Sequence, residues 1–401
     1  MVLIQHPKLQ KFIHTETKIK FAARKRLYES EKIIQNTCAY LSIAPMRFFM
    51  FIMLLGLPVV DDGRPGFLLM FWNVENLFES RPHFRDKCTG IAKTVMLAGD
   101  EYGSIPDVIG LAEVENKAVL QKLLSRTGLR KYDYGIIHYD SHDRRGIDCA
   151  LLYRRSRFKI LHTKPCHLYD TFGRLLPTRD ILLAILEPVA LPEGIPPEGR
   201  NTRGSIAGGP SRRDGGVSPK GELPKGVYLP ASTIAVLINH HPSKVGKESE
   251  ERRRIAMDRL LFLRDSLLAE GISRIVAVGD FNDEVIPAAG VVAAYPRGSG
   301  TIKFQGKWEK IDGCPVLEGM TAREHIFAPP HLSTRDTRFS GVKPLRSYSG
   351  PRYLGGISDH YPVVFEVLPR ACCPEKRDSS NAEDIEKITI FERCNYAETK
   401  N

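Results

Sequence analysis

The sequence lacks the parts that most familiar enzyme classes require. No G-x-G-x-x-G turn opens a helix, and there is no G-K-[ST] phosphate loop, no H-E-x-x-H and no G-x-S-x-G. Hydride transfer, nucleoside triphosphate hydrolysis and serine hydrolysis are therefore without their usual equipment. None of the eight cysteines (Cys38, Cys88, Cys149, Cys166, Cys314, Cys372, Cys373 and Cys394) makes a C-x-x-C pair, which argues against a structural zinc site. Cys149 and Cys314 lie in apolar, strand-like runs and are expected to act as small core hydrophobes. No pairing is assigned to the others. There is no internal repeat. No apolar run has the ~20 residues that a membrane-spanning helix needs.

What is present is ordinary in amount and unusual in arrangement. With 401 residues, 42% hydrophobic and 26% charged, the chain can bury a large core. The net charge of +11 invites a nucleic-acid reading. That signal weakens because eight Lys or Arg against three Glu sit in residues 1–45, outside the expected catalytic body. At Met46 the text becomes "MRFFMFIMLLGLPVVDDG", one Arg and then thirteen mostly apolar residues from Phe48 to Val60. This has the form of a secretory leader. It suggests Met46 as the true start, residues 1–45 as a non-native or disordered extension, 46–62 as a signal peptide, and an exported protein. With a start at Met1 the expectation reverts to the cytoplasm. A buried strand behind a genuine basic extension is the plainer alternative.

Between residues 67 and 368 apolar, β-branched runs recur: "FLLMFWNV", "DVIGLAEV", "YDYGIIHYD", "DCALLYRR", "RFKILHT", "DILLAILEPVAL", "TIAVLINH", "RIVAVGD", "KIDGCPVL" and "YPVVFEVL". Several are continuous, as in strands buried on both faces. Three helical patterns interrupt them, near 85–99, 116–129 and 247–270. The third has Ser249 as its expected cap, acidic Glu250 and Glu251, a stripe of Ile255, Leu260, Leu263 and Leu267, and Gly271 at its end. Many strands with few helices imply two sheets packed face to face with helices outside. The catalytic domain is expected over 63–370. A Gly/Pro/Ser/Arg-rich insertion at 192–226 and a tail from 371 to 401 fall outside its core.

The strand ends are the informative feature. "FLLMFWNVENLF" carries Asn73 just past its apolar run and "DVIGLAEVEN" ends at Glu113. "IAVLINHHPSK" ends at Asn239, His240 and His241, and "RIVAVGDFND" at Asp280 and Asn282. "KWEKIDGCPVL" puts Asp312 at a strand start, and "LGGISDHYPVVFEV" puts Asp359 and His360 just before the last strand. A single Asp or Asn there would be a turn former. Six such segments imply one shared cleft at a sheet edge. Hard oxygen ligands suit Mg²⁺ or Mn²⁺ rather than zinc. Histidines beside carboxylates suit proton transfer and charge stabilisation.

At these residues the chain resembles the endonuclease/exonuclease/phosphatase superfamily: pancreatic-type deoxyribonucleases, apurinic endonucleases, inositol polyphosphate 5-phosphatases and neutral sphingomyelinases. "GDFND" followed by "SDHYP" carries the resemblance, reinforced by "WNVENLF", "LAEVEN", "RRGIDCALLYR", "TRD" and "NHHPSK". Exported bacterial members of unassigned substrate are the most similar group. The resemblance implies a four-layer α/β sandwich of the DNase I type. It also implies a metal held by Glu113 with Asn73 beside it and Asp359 completing the site. Asp280 and Asn282 would orient the attacking water. His360 would act in proton transfer, oriented by Asp312, and His240 would donate to a phosphate oxygen. Family text more often has an aromatic where His241 stands, which leaves His240 and His241 as rivals. Arg145 and Arg179 are candidate phosphate clamps, since a guanidinium fork matches phosphate, and each is as well read as surface charge. Asp148 is a candidate to orient His240.

The expected function is divalent-metal-dependent hydrolysis of a phosphodiester or phosphomonoester, with nucleic acid among the candidate substrates. Alternatives are a lipid or inositol phosphate substrate, or a non-catalytic binding protein on the same fold. A monomer with no obligate protein partner is expected.

Overall fold

The continuous apolar runs fold as strands buried on both faces. β1 (Phe67–Leu77) shows how. Its odd positions Phe67, Leu69 and Phe71 point between two sheets, and its even positions Leu68, Met70, Trp72 and Val74 point at helices. With no face left for water, alternation disappears from the sequence. Each such side chain contributes about 1.5–3 kcal/mol by burial.

The computed structural model describes residues 66–189, 229–244, 246 and 248–370. The expected extension, leader, insertion and tail lie outside the described residues, as do Cys38, Cys372, Cys373 and Cys394.

After β1 come helix α1 (Phe84–Glu101), β2 (Val108–Val114), α2 (Lys117–Arg126), β3 (Tyr134–His138), β4 (Asp148–Arg154), β5 (Phe158–Cys166), β6 (Ile181–Pro188), β7 (Ile234–His240), α3 (Ser249–Ala269) and β8 (Arg274–Asp280). β9 (Val291–Ala293), β10 (Ile302–Phe304), β11 (Lys307–Glu309), β12 (Asp312–Glu318) and β13 (Met320–Ile326) follow. The short strands β14 (Ser333–Arg335), β15 (Val342–Pro344), β16 (Tyr348–Ser349) and β17 (Arg352–Tyr353) lead to β18 (Val363–Pro369). One sheet has the order β3-β4-β2-β1-β18-β13-β9 and the other β12-β8-β7-β6-β5. Their inner faces share a core that includes Phe71, Leu151, Ala184, Val236, Val278 and Phe365. α1 and α2 cover the outer face of the first sheet through Ile91, Val95, Leu120 and Leu123. α3 covers the second through Ala256, Leu260, Leu263 and Leu267. The result is the expected four-layer α/β sandwich of the DNase I type.

Two details differ from the sequence reading. β13 was not anticipated, because "MTAREHI" offers little apolar text. It pairs with β18 along its whole length and buries Glu324 completely, against Lys310 at 2.8 Å and the Tyr295 hydroxyl at 3.1 Å. Ser249 does not cap α3. It is the first helical residue, and its hydroxyl donates to the Lys244 carbonyl at 3.1 Å instead. All four cysteines of the described residues are buried, and burial pushes the thiols of Cys149 and Cys314 well up.

β1 and β2 are parallel, as are β7 and β8, while β18 and β12 run against them. The C-terminal ends of β1, β2, β7 and β8 and the N-terminal ends of β12 and β18 therefore emerge along one rim.

Candidate functional site

The second sheet sets three of the candidate residues in one row. His240 of β7 pairs in register with Asp280 of β8, and Asp280 pairs with Asp312 of β12. Gly279 permits the close approach, since a Cβ there would stand 2.4 Å from the Asn239 carbonyl oxygen. The first sheet supplies Asn73, whose Nδ2 donates to Asp280 Oδ2 at 2.9 Å and so ties the two sheets together at the rim. The backbone N–H of Asn282 donates to Asp280 Oδ1 at 2.9 Å, with Asn282 held at φ 50°. Asp280 is thus oriented by an amide from each side.

His360 enters from the loop before β18. Its Nδ1 lies 2.8 Å from Asp312 Oδ2 and its Nε2 lies 3.9 Å from Asp280 Oδ2. The loop is pinned to β1. Trp72 Nε1 donates to the His360 carbonyl at 2.9 Å, and the Ser358 hydroxyl donates to the Asn73 carbonyl at 2.6 Å. His240 Nε2 stands 3.6 Å from Asp280 Oδ2, whereas the His241 ring packs edge-on against Phe281 at 4.8 Å. Of the two adjacent histidines, only His240 faces the row. Its Nδ1 and the Nε2 of His241 are buried without a hydrogen-bond partner.

These neighbours push the titrating groups apart. Burial, with Asp312 adding to it, raises Asp280 to about 7. Burial opposes charge on His360, but Asp312 and Asp280 outweigh it and hold its pKa well above the usual value. Burial and the Arg179 charge hold His240 well below, and the same two causes bring His241 down to about 3. Near neutral pH the row therefore combines a charged imidazole, a neutral imidazole and a carboxyl poised to exchange a proton.

Beside the row is a second group that the sequence reading caught only in part. β1 and β2 are both irregular at their ends, with register breaks between Asn73 and Leu77 and between Leu111 and Val114. Glu75, Asn76 and Glu113 there adopt φ of 48°, 56° and 65°. Such kinks re-aim side chains and are rare for residues other than glycine. Glu113 Oε2 accepts from the Asn76 backbone N–H at 2.9 Å. Glu75 is buried and accepts from Arg346 at 2.9 and 3.1 Å and from the Ser347 backbone N–H at 2.9 Å. Arg346 also reaches Asp359 Oδ2 at 3.2 Å. Burial, with Asp359 next, raises the Glu75 pKa, while burial lowers the Lys87 ammonium beside it to about 8. Glu75, Arg346 and Lys87 were not singled out from sequence. Glu75 follows Asn73 by two residues, but the register break between Asn73 and Leu77 and its φ of 48° remove the strand periodicity that would have placed it.

Glu75 and Asp359 hold the Arg346 guanidinium, and the Glu113 charge also favours the cation there, so this corner of the rim is built to neutralise positive charge with hard oxygen donors. That donor set fits a divalent cation such as Mg²⁺ or Mn²⁺. Asn73 stands between this corner and the row, in contact with the row through Asp280.

The other candidates are used differently. Arg179 is buried, and its guanidinium donates to the His240 carbonyl at 3.1 Å, to the His241 carbonyl and to Asp143 at 3.0 Å. Arg145 is exposed and pairs with the same Asp143 at 3.3 Å. Asp148 lies 3.2 Å from His138 Nε2.

The sequence profile of the Endonuclease/Exonuclease/phosphatase family matches residues 69–187 and 289–368. No curated protein matches the chain. Among solved structures, an endonuclease/exonuclease/phosphatase family protein from Bacteroides thetaiotaomicron is 13% identical, with a TM-score of 0.45 over 76% of this chain and 98% of its own. One from Bacteroides vulgatus is 16% identical, with a TM-score of 0.43 over 77% and 100%. The human Nocturnin catalytic domain with bound sulfate is 16% identical, with a TM-score of 0.44 over 76% and 94%. The profile covers Asn73 and Glu75 of β1, Glu113 of β2 and the stretch from Asp312 through His360, while His240 of β7 and Asp280 of β8 fall in the stretch between its two matched segments. The chain belongs to the endonuclease/exonuclease/phosphatase family.

Proposed function

We propose that the protein is a divalent-metal-dependent phosphoesterase in which water, held at Asp280, attacks phosphorus in line with the leaving oxygen. The observation that supports this best is the row His240–Asp280–Asp312–His360 set directly beside the carboxylates Glu75, Glu113 and Asp359. A cation bound by those carboxylates and Asn73 would supply neutralisation of the charge that develops on phosphate.

The side chains do the rest. Asp280, with its pKa near the working range, takes a proton from water. Asn73 and the Asn282 backbone hold its two oxygens in place, so little reorganisation is needed. His360 carries positive charge, and its Nδ1 bond to Asp312 fixes the ring so that Nε2 faces the rim. His240, kept neutral, stabilises a phosphate oxygen by hydrogen bonding rather than by charge. Arg145 is the remaining candidate to meet substrate from the exposed side. Arg179 acts by holding the His240–His241 backbone in position.

The test is an assay of the full chain, with and without Mg²⁺ or Mn²⁺, against DNA, RNA, sphingomyelin, inositol phosphates and a bis-aryl phosphodiester. Metal-dependent release of product from one of these supports the reading. A well-folded protein that hydrolyses none of them, or does so equally well in excess chelator, overturns it.

A further inference from the structure

A second cluster of ligating side chains stands apart from the rim and from the reaction. Cys166 of β5 pairs with Ile181 of β6 at the end of their ladder, so His167 and Asp180 meet one step beyond it. His167 Nδ1 lies 2.9 Å from Asp180 Oδ1. His142, from the loop between β3 and β4, places its ring edge-on to that of His167, with centroids 5.2 Å apart at 81°. One donor atom from each of the three lies within 4.8 Å of the other two. Asp180 is buried, with 9% of its side chain exposed, yet its Oδ2 has no hydrogen-bond partner. A buried carboxylate oxygen left without a donor keeps the cost of its lost hydration.

We propose that His142, His167 and Asp180 form a binding site for a borderline transition-metal ion of the zinc type, distinct from the hard-cation corner at Glu75, Glu113 and Asp359. Two imidazoles and one carboxylate are donors that zinc accepts and that Mg²⁺ takes poorly. The sequence has no thiolate pair of zinc-finger spacing, and this site needs none. Zinc–nitrogen bonds of about 2.0–2.1 Å bring tetrahedral donors to about 3.4 Å from one another. The donors must close in by about an ångström, which the exposed His142 loop can supply. Asp180 Oδ2 then gains the cation it lacks.

The site has a structural consequence. Asp180 follows Arg179, and the His142 loop carries Asp143, the partner of Arg179. An ion joining His142 to Asp180 closes a second link between that loop and the β5–β6 hairpin. Both links bear on the backbone of His240 and His241, where Arg179 donates. The fourth coordination position is left to water.

Zinc retention in the presence of excess Mg²⁺ tests the proposal, because Mg²⁺ saturates the oxygen-rich corner. The full chain is stripped with chelator, dialysed against micromolar zinc and millimolar Mg²⁺, and its zinc content measured with its thermal midpoint. Wild type is expected to hold one zinc per chain and to melt at a higher temperature with zinc than without. His142→Ala, a change at an exposed residue, is expected to fold, to bind zinc at least about tenfold more weakly and to lose the zinc-dependent rise. Asp180→Asn should behave likewise, while Glu113→Gln keeps wild-type zinc content. Wild type that retains no zinc against Mg²⁺, or His142→Ala that retains as much as wild type, overturns the proposal.

Discussion

Asp312 Oδ2 and His360 Nδ1 lie 2.8 Å apart, with both side chains buried, so one carboxylate fixes the orientation of the ring and favours its charge. The two act as a unit in this account. Asp312→Asn and His360→Asn are each expected to lower kcat at least about 10²-fold. The double variant should lose little beyond the worse single one. Steady-state kinetics on the four members of the cycle read this directly, and losses that multiply would show that the residues work separately.

The Glu75–Arg346 contact gives a prediction of two opposite signs. Arg346 occupies the carboxylates that would receive a cation. Arg346→Ala is therefore expected to strengthen Mn²⁺ binding, and Glu75→Gln to weaken it at least about tenfold, as loss of a metal partner does. Calorimetric titration of both variants checks the signs. Equal affinity in all three proteins would remove Glu75 from the metal site.

Acidity at Asp280 makes stability and activity move in opposite directions. Its pKa rises on folding from 3.8 to about 7. Between those values the folded chain holds the proton more firmly than the unfolded one. The stabilisation is thus complete below about pH 4 and is lost as pH climbs through about 7. Asp280→Asn lacks this dependence, so urea titrations should show the variant gaining on wild type from about pH 4 to about 8. Turnover needs the deprotonated carboxylate, so wild-type kcat/KM should climb through about pH 7, with an apparent value that belongs to the coupled Asp280–Asp312–His360 set. A profile that is flat from about pH 5 to about 8 would contradict the assignment of Asp280 as base.

Arg179 is expected to matter for folding more than for substrate. Its removal takes the donor from Asp143 Oδ2 and one donor from each of the His240 and His241 carbonyls, although Asp143 Oδ1 keeps Arg145 and the His241 carbonyl keeps Asn282. Arg179→Ala should cost about 3 kcal/mol in urea unfolding, the range for breaking a buried charged pair. Arg145→Ala, at an exposed position, should leave stability unchanged. If Arg179→Ala unfolds like wild type and raises only KM, the clamp role belongs to Arg179 after all.

The sequence made the rim legible because apolar strands bracket it: polar residues at the ends of six buried runs stand out against text with no alternation. The same contrast failed for β13, where Thr321, Arg323 and Glu324 interrupt the apolar text and a fully buried glutamate is satisfied by Lys310. Glu75 was missed because it sits one step past a bulge, where strand periodicity no longer says which way a side chain points. Arg346 and Lys87 lie outside any strand-end pattern and become visible only when the loop before β18 and helix α1 fold against β1. The partners of Arg179, two carbonyls on a neighbouring strand end and Asp143, could not be read from "TRD", which left phosphate clamp and surface charge as equal readings.

The central claim is that Asp280 is the group on which hydrolysis turns. The direct measurement is turnover by Asp280→Asn on the substrate that wild type hydrolyses best, with Mg²⁺ present and folding checked by circular dichroism. The account predicts an intact fold and a rate lower by at least about 10²-fold. A folded Asp280→Asn protein that turns over at close to the wild-type rate would contradict it.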